Sequence, residues 1–254
     1  MKFKNAIVRK PGRSIVQGIS SADLGRPDYN KACIQHSAYI EALRECGLEV
    51  LVLEALEEYP DSTFIEDNAL LTKECAIICR PGAKSRKGET EGIGEVLKRF
   101  YDNIYIIERP GTLEAGDVMM VGKHFYIGLS DRTNTRGATQ LIRILEKHGM
   151  SGSTITLEHV LHLKTGVSYL ENNTLLASGE FLSKQDFTDF NIIEVEDDEA
   201  YSANCIWVNG KVLVPQGYPI TKSKIEKAGY PLIELEMSEF RKLDGGLSCL
   251  SLRF

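Results

Sequence analysis

The sequence predicts a mixed α/β ring made of five strand–strand–helix–strand units. Three observations carry this reading. Hairpin-like segments recur along the chain, each followed by a helical or polar stretch and then a short apolar strand. The first unit lacks a leading strand while the carboxyl end has one left over. The residue ahead of each leading strand falls at nearly constant spacing, the mark of a repeat architecture.

Taken in order, the first unit has "NAIVRK", the helix "NKACIQHSAYIEALRECG" and the strand "EVLVLEA". The second fits the template less cleanly, with "NALLTKECAIICRPG", the helix "GETEGIGEVLKRF" and "IYIIE". The third is "GDVMMVGKHFYIGLS", turning at Gly122-Lys123, then "TRGATQLIRILEKHG" and "TITLE". The fourth turns at Asn172-Asn173 in "SYLENNTLLASGE" and ends in "NIIEVE"; its "FLSKQDFTDF" has no clear helical or strand period. The fifth is "CIWVNGKVLVPQG", turning at Asn209-Gly210, then "TKSKIEKAGY" and "PLIELE". Asn-Gly favours tight hairpin turns, and glycine closes three of the four helices as a C-cap should. The leftover strand is "CLSLRF". Pairing it with "NAIVRK" completes the first unit, closes the ring and removes an exposed strand edge.

Composition narrows the function classes. At 254 residues, with 43% hydrophobic and 26% charged, the chain has ordinary globular content. No Pro-, Ser- or Gly-rich linker divides it, so residues 1–254 read as one domain. A net charge of -6 and the lack of a Lys/Arg run argue against nucleic acid as a partner. No apolar run reaches the roughly 18 residues that a spanning helix needs, and the amino terminus has no signal-like apolar region. A cytoplasmic location away from membranes is expected. The six cysteines are scattered through a sizeable chain and read as reduced thiols. The sequon at Asn172 then has no consequence.

The residues that precede the leading strands are Asp67, Glu114, His162, Asn204 and Cys249, at gaps of 47, 48, 42 and 45. In a ring of repeats, equivalent positions face one axis. Two acids, an imidazole and a thiol would therefore meet there, the general form of an activated thiol nucleophile. Taken singly, Cys249 reads as a small buried apolar group, and His162, between Leu161 and Leu163, as a core or strand histidine. Their shared repeat position is the reason to read them together. Metal chemistry is poorly supported: His159 and His162 lack a second ligand pair, and Cys75 with Cys79 lacks a partner set at zinc spacing. "GIGEVL" lacks the full dinucleotide-loop pattern. The stretch "PDSTFIEDNALL" puts Asp61, Glu66 and Asp67 close together around Phe64 and Ile65. Buried carboxylates want a cationic partner, and a guanidinium matches several at once. Arg86 and Arg132 are candidates for a substrate carboxylate.

In this order, "SADLGRPDY", "DSTFIEDNALL", "RPGAKSRKGETE", "GTLEAGDVMMVG", "IGLSDRTN", "HLKTGVSYL", "ANCIWVNG" and "LDGGLSCLSLRF" resemble the bacterial dimethylarginine dimethylaminohydrolases, of the guanidine-modifying or pentein superfamily. The resemblance spans nearly the whole chain and implies a five-bladed α/β propeller of ββαβ repeats. It implies Cys249 as nucleophile, His162 as general acid and base, and Glu114 as the acid beside them. It further implies that Glu66 and Asp67 hold the guanidinium, Asp61 and the Ile19 carbonyl the α-amino group, and Arg86 with Arg132 the α-carboxylate. Phe64 and Asp244 complete the implied substrate site. The expected reaction turns Nω,Nω-dimethylarginine or Nω-monomethylarginine into citrulline and a methylamine, through a thiouronium intermediate, with no metal or organic cofactor. Related enzymes are often dimers, so a homodimer is expected. Position 19 departs from the leucine expected in the family. Glu114 stands where animal members carry aspartate, and Leu250 follows Cys249 where they carry a second cysteine.

A free thiol is mostly protonated at neutral pH. The resting Cys249 is therefore expected to be neutral, and to ionise when the cationic substrate binds. The competing readings are an arginine or agmatine deiminase on the same fold, a non-catalytic guanidino-binding module, and a thiol redox sensor pairing Cys249 with Cys205.

Overall fold

A computed structural model describes residues 2–254 as five three-stranded sheets. The first contains β1 (Asn5–Arg9) and, after helix α1 (Tyr29–Glu45), β2 (Glu49–Leu53). The second has β3 (Ala69–Leu71), β4 (Ala76–Ile78), helix α2 (Ile93–Leu97) and β5 (Ile104–Ile106). In the third, β6 (Val118–Val121) and β7 (His124–Leu129) precede α3 (Thr135–Lys147) and β8 (Ser151–Thr156). The fourth follows the short helix α4 (Leu163–Gly166) with β9 (Val167–Tyr169), β10 (Thr174–Ala177) and β11 (Asn191–Glu194). The fifth has β12 (Ile206–Val208), β13 (Lys211–Pro215), α5 (Pro219–Lys227) and β14 (Leu232–Leu235). In the second to fifth sheets the first and second strands are antiparallel and the second and third parallel; in the first sheet β1 and β2 are parallel.

The carboxyl-terminal strand β15 (Leu252–Arg253) closes the first sheet. It pairs antiparallel with β1 in the register Ala6↔Arg253 and Ile7↔Leu252. The amides of Lys4 and Asn5 both donate to the Phe254 carbonyl at 2.8 Å. The chain end is therefore built into the ring.

Burial explains the strand compositions. The middle strands β1, β4, β10 and β13 are almost wholly buried and read as continuous apolar runs, as strands covered on both faces do. The outer strands β2 and β11 are half-exposed or exposed, and admit Glu49 and Glu194. Gly47, Gly149 and Gly229, which the sequence sets as helix stops, all take left-handed φ just past their helices.

Two expectations need correction, and the reading of His162 taken singly as a strand histidine does not hold. "CLSLRF" is not a strand throughout: Ser248–Leu250 is a 3-10 turn, and only Leu252–Arg253 pairs. His162 caps the amino end of α4 and does not lie in a strand. The helix read over residues 88–100 shrinks to Ile93–Leu97, because Gly92, at φ 77°, breaks it from the 3-10 stretch Lys84–Thr90. The unassigned "FLSKQDFTDF" contains the 3-10 turn Gln185–Phe187 and the end of another, Gly179–Leu182. No helix among the described residues is long and apolar enough to cross a membrane.

Candidate active site

Each leading strand is entered through a short helical turn. Asp67 lies in the turn Ile65–Asn68, Glu114 precedes Ala115–Asp117, and His162 precedes α4. Asn204 follows Asp197–Ala203, and Cys249 lies in Ser248–Leu250. The five repeat positions thus share one structural place, the turn at the mouth of the ring. The paired glycines ahead of Cys249 explain its approach. A Cβ on Gly245 would stand 2.2 Å from the Phe64 ring, and one on Gly246 would stand 2.3 Å from the Asn204 amide. Asn204 Oδ1 accepts the Ser248 amide at 3.0 Å. Asn204 therefore props the cysteine turn.

Cys249 and His162 line one cavity of about 130 Å³ together with Asp61, Phe64 and Asp67. Arg86, Arg132, Ile19 and Asp244 also line it. Glu114 is fully buried beside it, with Oε2 at 2.7 Å from His162 Nε2. Its Oε1 accepts the amides of Gly82 at 3.0 Å and Ala83 at 3.4 Å, and lies 3.7 Å from Arg132 Nη1. Asp67 Oδ1 accepts the Gly116 amide at 2.9 Å, and Oδ2 pairs with Arg86 Nη1 at 2.6 Å. Asp61 Oδ1 takes the Ile19 amide at 3.0 Å.

Glu66 sits differently from the reading above, and the carboxylate of Asp244 is engaged within the protein. Glu66 does not line this cavity: its Oε1 pairs with Lys164 at 2.6 Å and Arg253 at 3.4 Å, facing a second cavity inside the ring. Its Oε2 is buried with no partner among the described residues. Asp244 Oδ2 accepts the amide and hydroxyl of Ser21, at 2.6 and 3.0 Å, so it pins the segment at the cavity rim. Arg86 is buried, and most of its donors go to protein acceptors, leaving one Nη1 hydrogen without a hydrogen-bond acceptor, with Glu114 Oε2 4.0 Å from that nitrogen.

The electrostatics separate thiol from imidazole. Burial, followed by the nearby Glu66 and Asp67 carboxylates, pushes the Cys249 thiol up to about 12. Burial alone would lower His162, but Asp67, the Glu114 hydrogen bond and Asp117 together raise it to about 9. For Asp67, burial is outweighed by His162 and Arg86, and its carboxyl is held down to about 2. At neutral pH the pair is thus a neutral thiol beside an imidazolium.

Donor atoms of Asp67, Glu114 and His162 lie within 4.8 Å of one another, close enough to share a cation. They are already engaged: Arg86 takes Asp67, and the imidazolium takes Glu114. Positive charge is supplied there by the protein's own side chains. Sequence reading missed Asp117, whose Oδ1 accepts the Leu163 amide at 3.0 Å and so holds the start of α4 beside His162. It also missed Gly116, where a Cβ would lie 2.8 Å from Asp67 Oδ1 and 3.1 Å from His162 Cγ. Gly116 and Asp117 stand beside Glu114 in "LEAGDV", but only the ring geometry shows what they touch.

A five-bladed ring with a thiol, an imidazole and carboxylates gathered at the entry turns defines the pentein class of guanidine-modifying enzymes. Residues 26–180 match the family described as N,N dimethylarginine dimethylhydrolase, eukaryotic. The N(G),N(G)-dimethylarginine dimethylaminohydrolase of Pseudomonas aeruginosa is 60% identical over 253 residues, covering 99% of this chain and 100% of that protein. That of Streptomyces coelicolor is 31% identical, covering 100% and 98%. The chain belongs to the dimethylarginine dimethylaminohydrolase family. A solved cysteine-to-serine mutant of the Pseudomonas aeruginosa enzyme, complexed with citrulline, superposes with a TM-score of 0.99 at 59% identity over the whole of both chains. The amino-terminal domain of ArgZ, a cyanobacterial arginine dihydrolase, superposes at 0.89 with 20% identity, covering 98% of this chain and 97% of that one, and shares the fold.

Proposed function

We propose that this chain, acting as a single catalytic domain, hydrolyses Nω,Nω-dimethyl-L-arginine and Nω-monomethyl-L-arginine to L-citrulline and dimethylamine or methylamine. The observation that carries the reading is the joint placement of Cys249, His162 and Asp67 on one cavity, with Glu114 hydrogen-bonded to the imidazole. Asp67 receives the guanidinium, while Glu66, which faces the other cavity with Lys164 and Arg253, does not touch it. Asp61 and the Ile19 carbonyl take the α-amino group, and Arg86 with Arg132 the α-carboxylate. Phe64 forms an apolar wall, and Asp244 keeps the rim segment in place.

Substrate charge drives the first step. A unit positive charge about 4 Å from sulfur, at an effective dielectric of about 20, is worth roughly 4 kcal/mol, or about three pKa units. That brings a thiol at about 12 into the range of His162 at about 9. The thiol proton leaves to solvent as the cation binds. The thiolate then adds to the guanidinium carbon, His162 protonates the methylated nitrogen, and the carbon–nitrogen bond breaks to release the amine. The remaining thiouronium is attacked by water that His162 deprotonates. Collapse breaks the carbon–sulfur bond and gives the ureido product. Glu114 keeps the imidazole oriented throughout and favours its charged form before the amine leaves and again after water is deprotonated.

Incubation of the purified protein with dimethylarginine, assaying citrulline and dimethylamine, tests this reading. Cys249→Ser and His162→Gly are expected to abolish both products. Release of ammonia from arginine or agmatine, with no dimethylamine from the methylated substrate, would favour a deiminase. The family resemblance also supports a cytoplasmic homodimer, which sedimentation of the purified protein would measure.

A further inference from the structure

Glu89 lies in the 3-10 stretch Lys84–Thr90, three residues after Arg86, so the two side chains share one face. Both are buried. Arg86 Nε donates to Glu89 Oε1 at 3.0 Å and Oε2 at 3.1 Å, and Nη2 donates to Oε2 at 2.8 Å. This grips one whole edge of the guanidinium. The opposite corner, Nη1, meets Asp67 at 2.6 Å, and Nη2 also reaches the Phe64 carbonyl at 3.0 Å. Glu89 does not line the cavity that Arg86 lines.

A buried, charge-assisted, two-edged contact fixes the plane of an arginine in a way a single contact does not. We propose that Glu89 is a positioning residue for substrate recognition: by holding the Nε edge of Arg86, it aims the uncommitted Nη1 hydrogen into the cavity, toward the α-carboxylate of the bound amino acid. The proposal rests on the reading that Arg86 takes that carboxylate. Glutamine at 89 keeps the shape but replaces one acceptor oxygen with a donor that opposes the guanidinium. The guanidinium plane is then held chiefly by Asp67 and the Phe64 carbonyl and is free to turn about them, while the thiol and imidazole keep their own partners.

The test is Glu89→Gln, measured with two substrates. For Nω,Nω-dimethylarginine, KM is expected to rise ~10-fold with kcat within ~2-fold. For the decarboxylated analogue, Nω,Nω-dimethylagmatine, KM or the inhibition constant is expected to stay within ~2-fold of the parent enzyme. Glu89→Asp, which keeps the charge, is expected to fall between parent and Glu89→Gln on the first substrate only, and serves if the glutamine variant does not fold. In an Arg86→Lys background, Glu89→Gln is expected to add nothing further. An equal loss on both substrates, no loss on either, or additivity with Arg86→Lys would overturn the proposal. If Arg86→Lys itself weakened both substrates equally, the carboxylate reading of Arg86 would be at fault instead.

Discussion

Two of the cavities among the described residues are built from different parts of the repeat. The cavity with Cys249 and His162 is lined by turns and loops, and carries Asp61, Asp67, Arg86 and Arg132. The other is lined largely by the leading strands: Leu70 and Leu71 of β3, Met119 and Met120 of β6, Tyr169 of β9, Trp207 of β12. Its ionic group is mainly Glu66 with Lys164 and Arg253. Glu66 and Asp67 are neighbours in one turn, yet their carboxylates pair toward different cavities. The contrast teaches that a repeat divides its labour. Regular strands pack the ring, while the turn before each strand, free of ladder constraints, presents a side chain chosen for chemistry.

Substitutions can break this contrast, and the largest effect belongs to the turns. Gly116→Ala places a methyl group against Asp67 and His162. Displacing either by about 1 Å is expected to lower kcat/KM by ~10²-fold with little loss of fold; steady-state kinetics beside a thermal melt measure both. On the strand-lined side, Met120→Leu conserves volume and is expected to leave turnover within ~2-fold. A comparable loss there would erase the distinction between the cavities.

Proton inventory sharpens the same comparison. The free enzyme at neutral pH holds protons on both thiol and imidazole, whereas the reactive complex holds one between them. One proton must therefore leave on binding. kcat/KM is expected to climb about tenfold per pH unit below about 9, where His162 titrates. A flat profile between pH 7 and 9 would mean the thiolate exists beforehand.

A smaller effect separates activity from stability. His36, on α1 and outside both cavities, is buried beside Phe240, and burial pushes it down to about 4, with Nε2 unpartnered among the described residues. Its folded pKa lies below the ordinary 6.5, so the unfolded chain binds more protons between those values. Stability is full above about 6.5 and falls by up to ~3 kcal/mol as pH drops through 4. Denaturant melts across that range are expected to show this loss, and His36→Phe to reduce it.

Much of the ring was legible because period-two apolar runs, hairpin turns built on Asn and Gly, and terminal glycines act locally. Closure by the last strand followed from counting: one unit lacked what the tail had to spare. The helix over residues 88–100 was overread because Gly92 and Gly94 outweigh the apolar spacing. The five entry positions were found through their spacing. Their backbone state was not, since a 3-10 turn such as Ser248–Leu250 has no period of its own. Glu89, Asp117 and Gly116 stayed hidden because their importance lies in contacts across the fold that no local spacing announces. The divergence of Glu66 from Asp67 is likewise a matter of where Lys164 and Arg253 stand, and those come from remote parts of the chain.

The central claim is that the cationic substrate, and not the resting protein, makes the nucleophile. Ultraviolet titration of the Cys249 thiolate, with and without an unreactive amidinium analogue of arginine, addresses it directly. The account expects a thiol that stays protonated well past neutral pH in the free enzyme, and whose pKa falls by about three units when the analogue binds. A pKa that the analogue leaves unmoved, or a thiolate already present at neutral pH without it, would contradict the account.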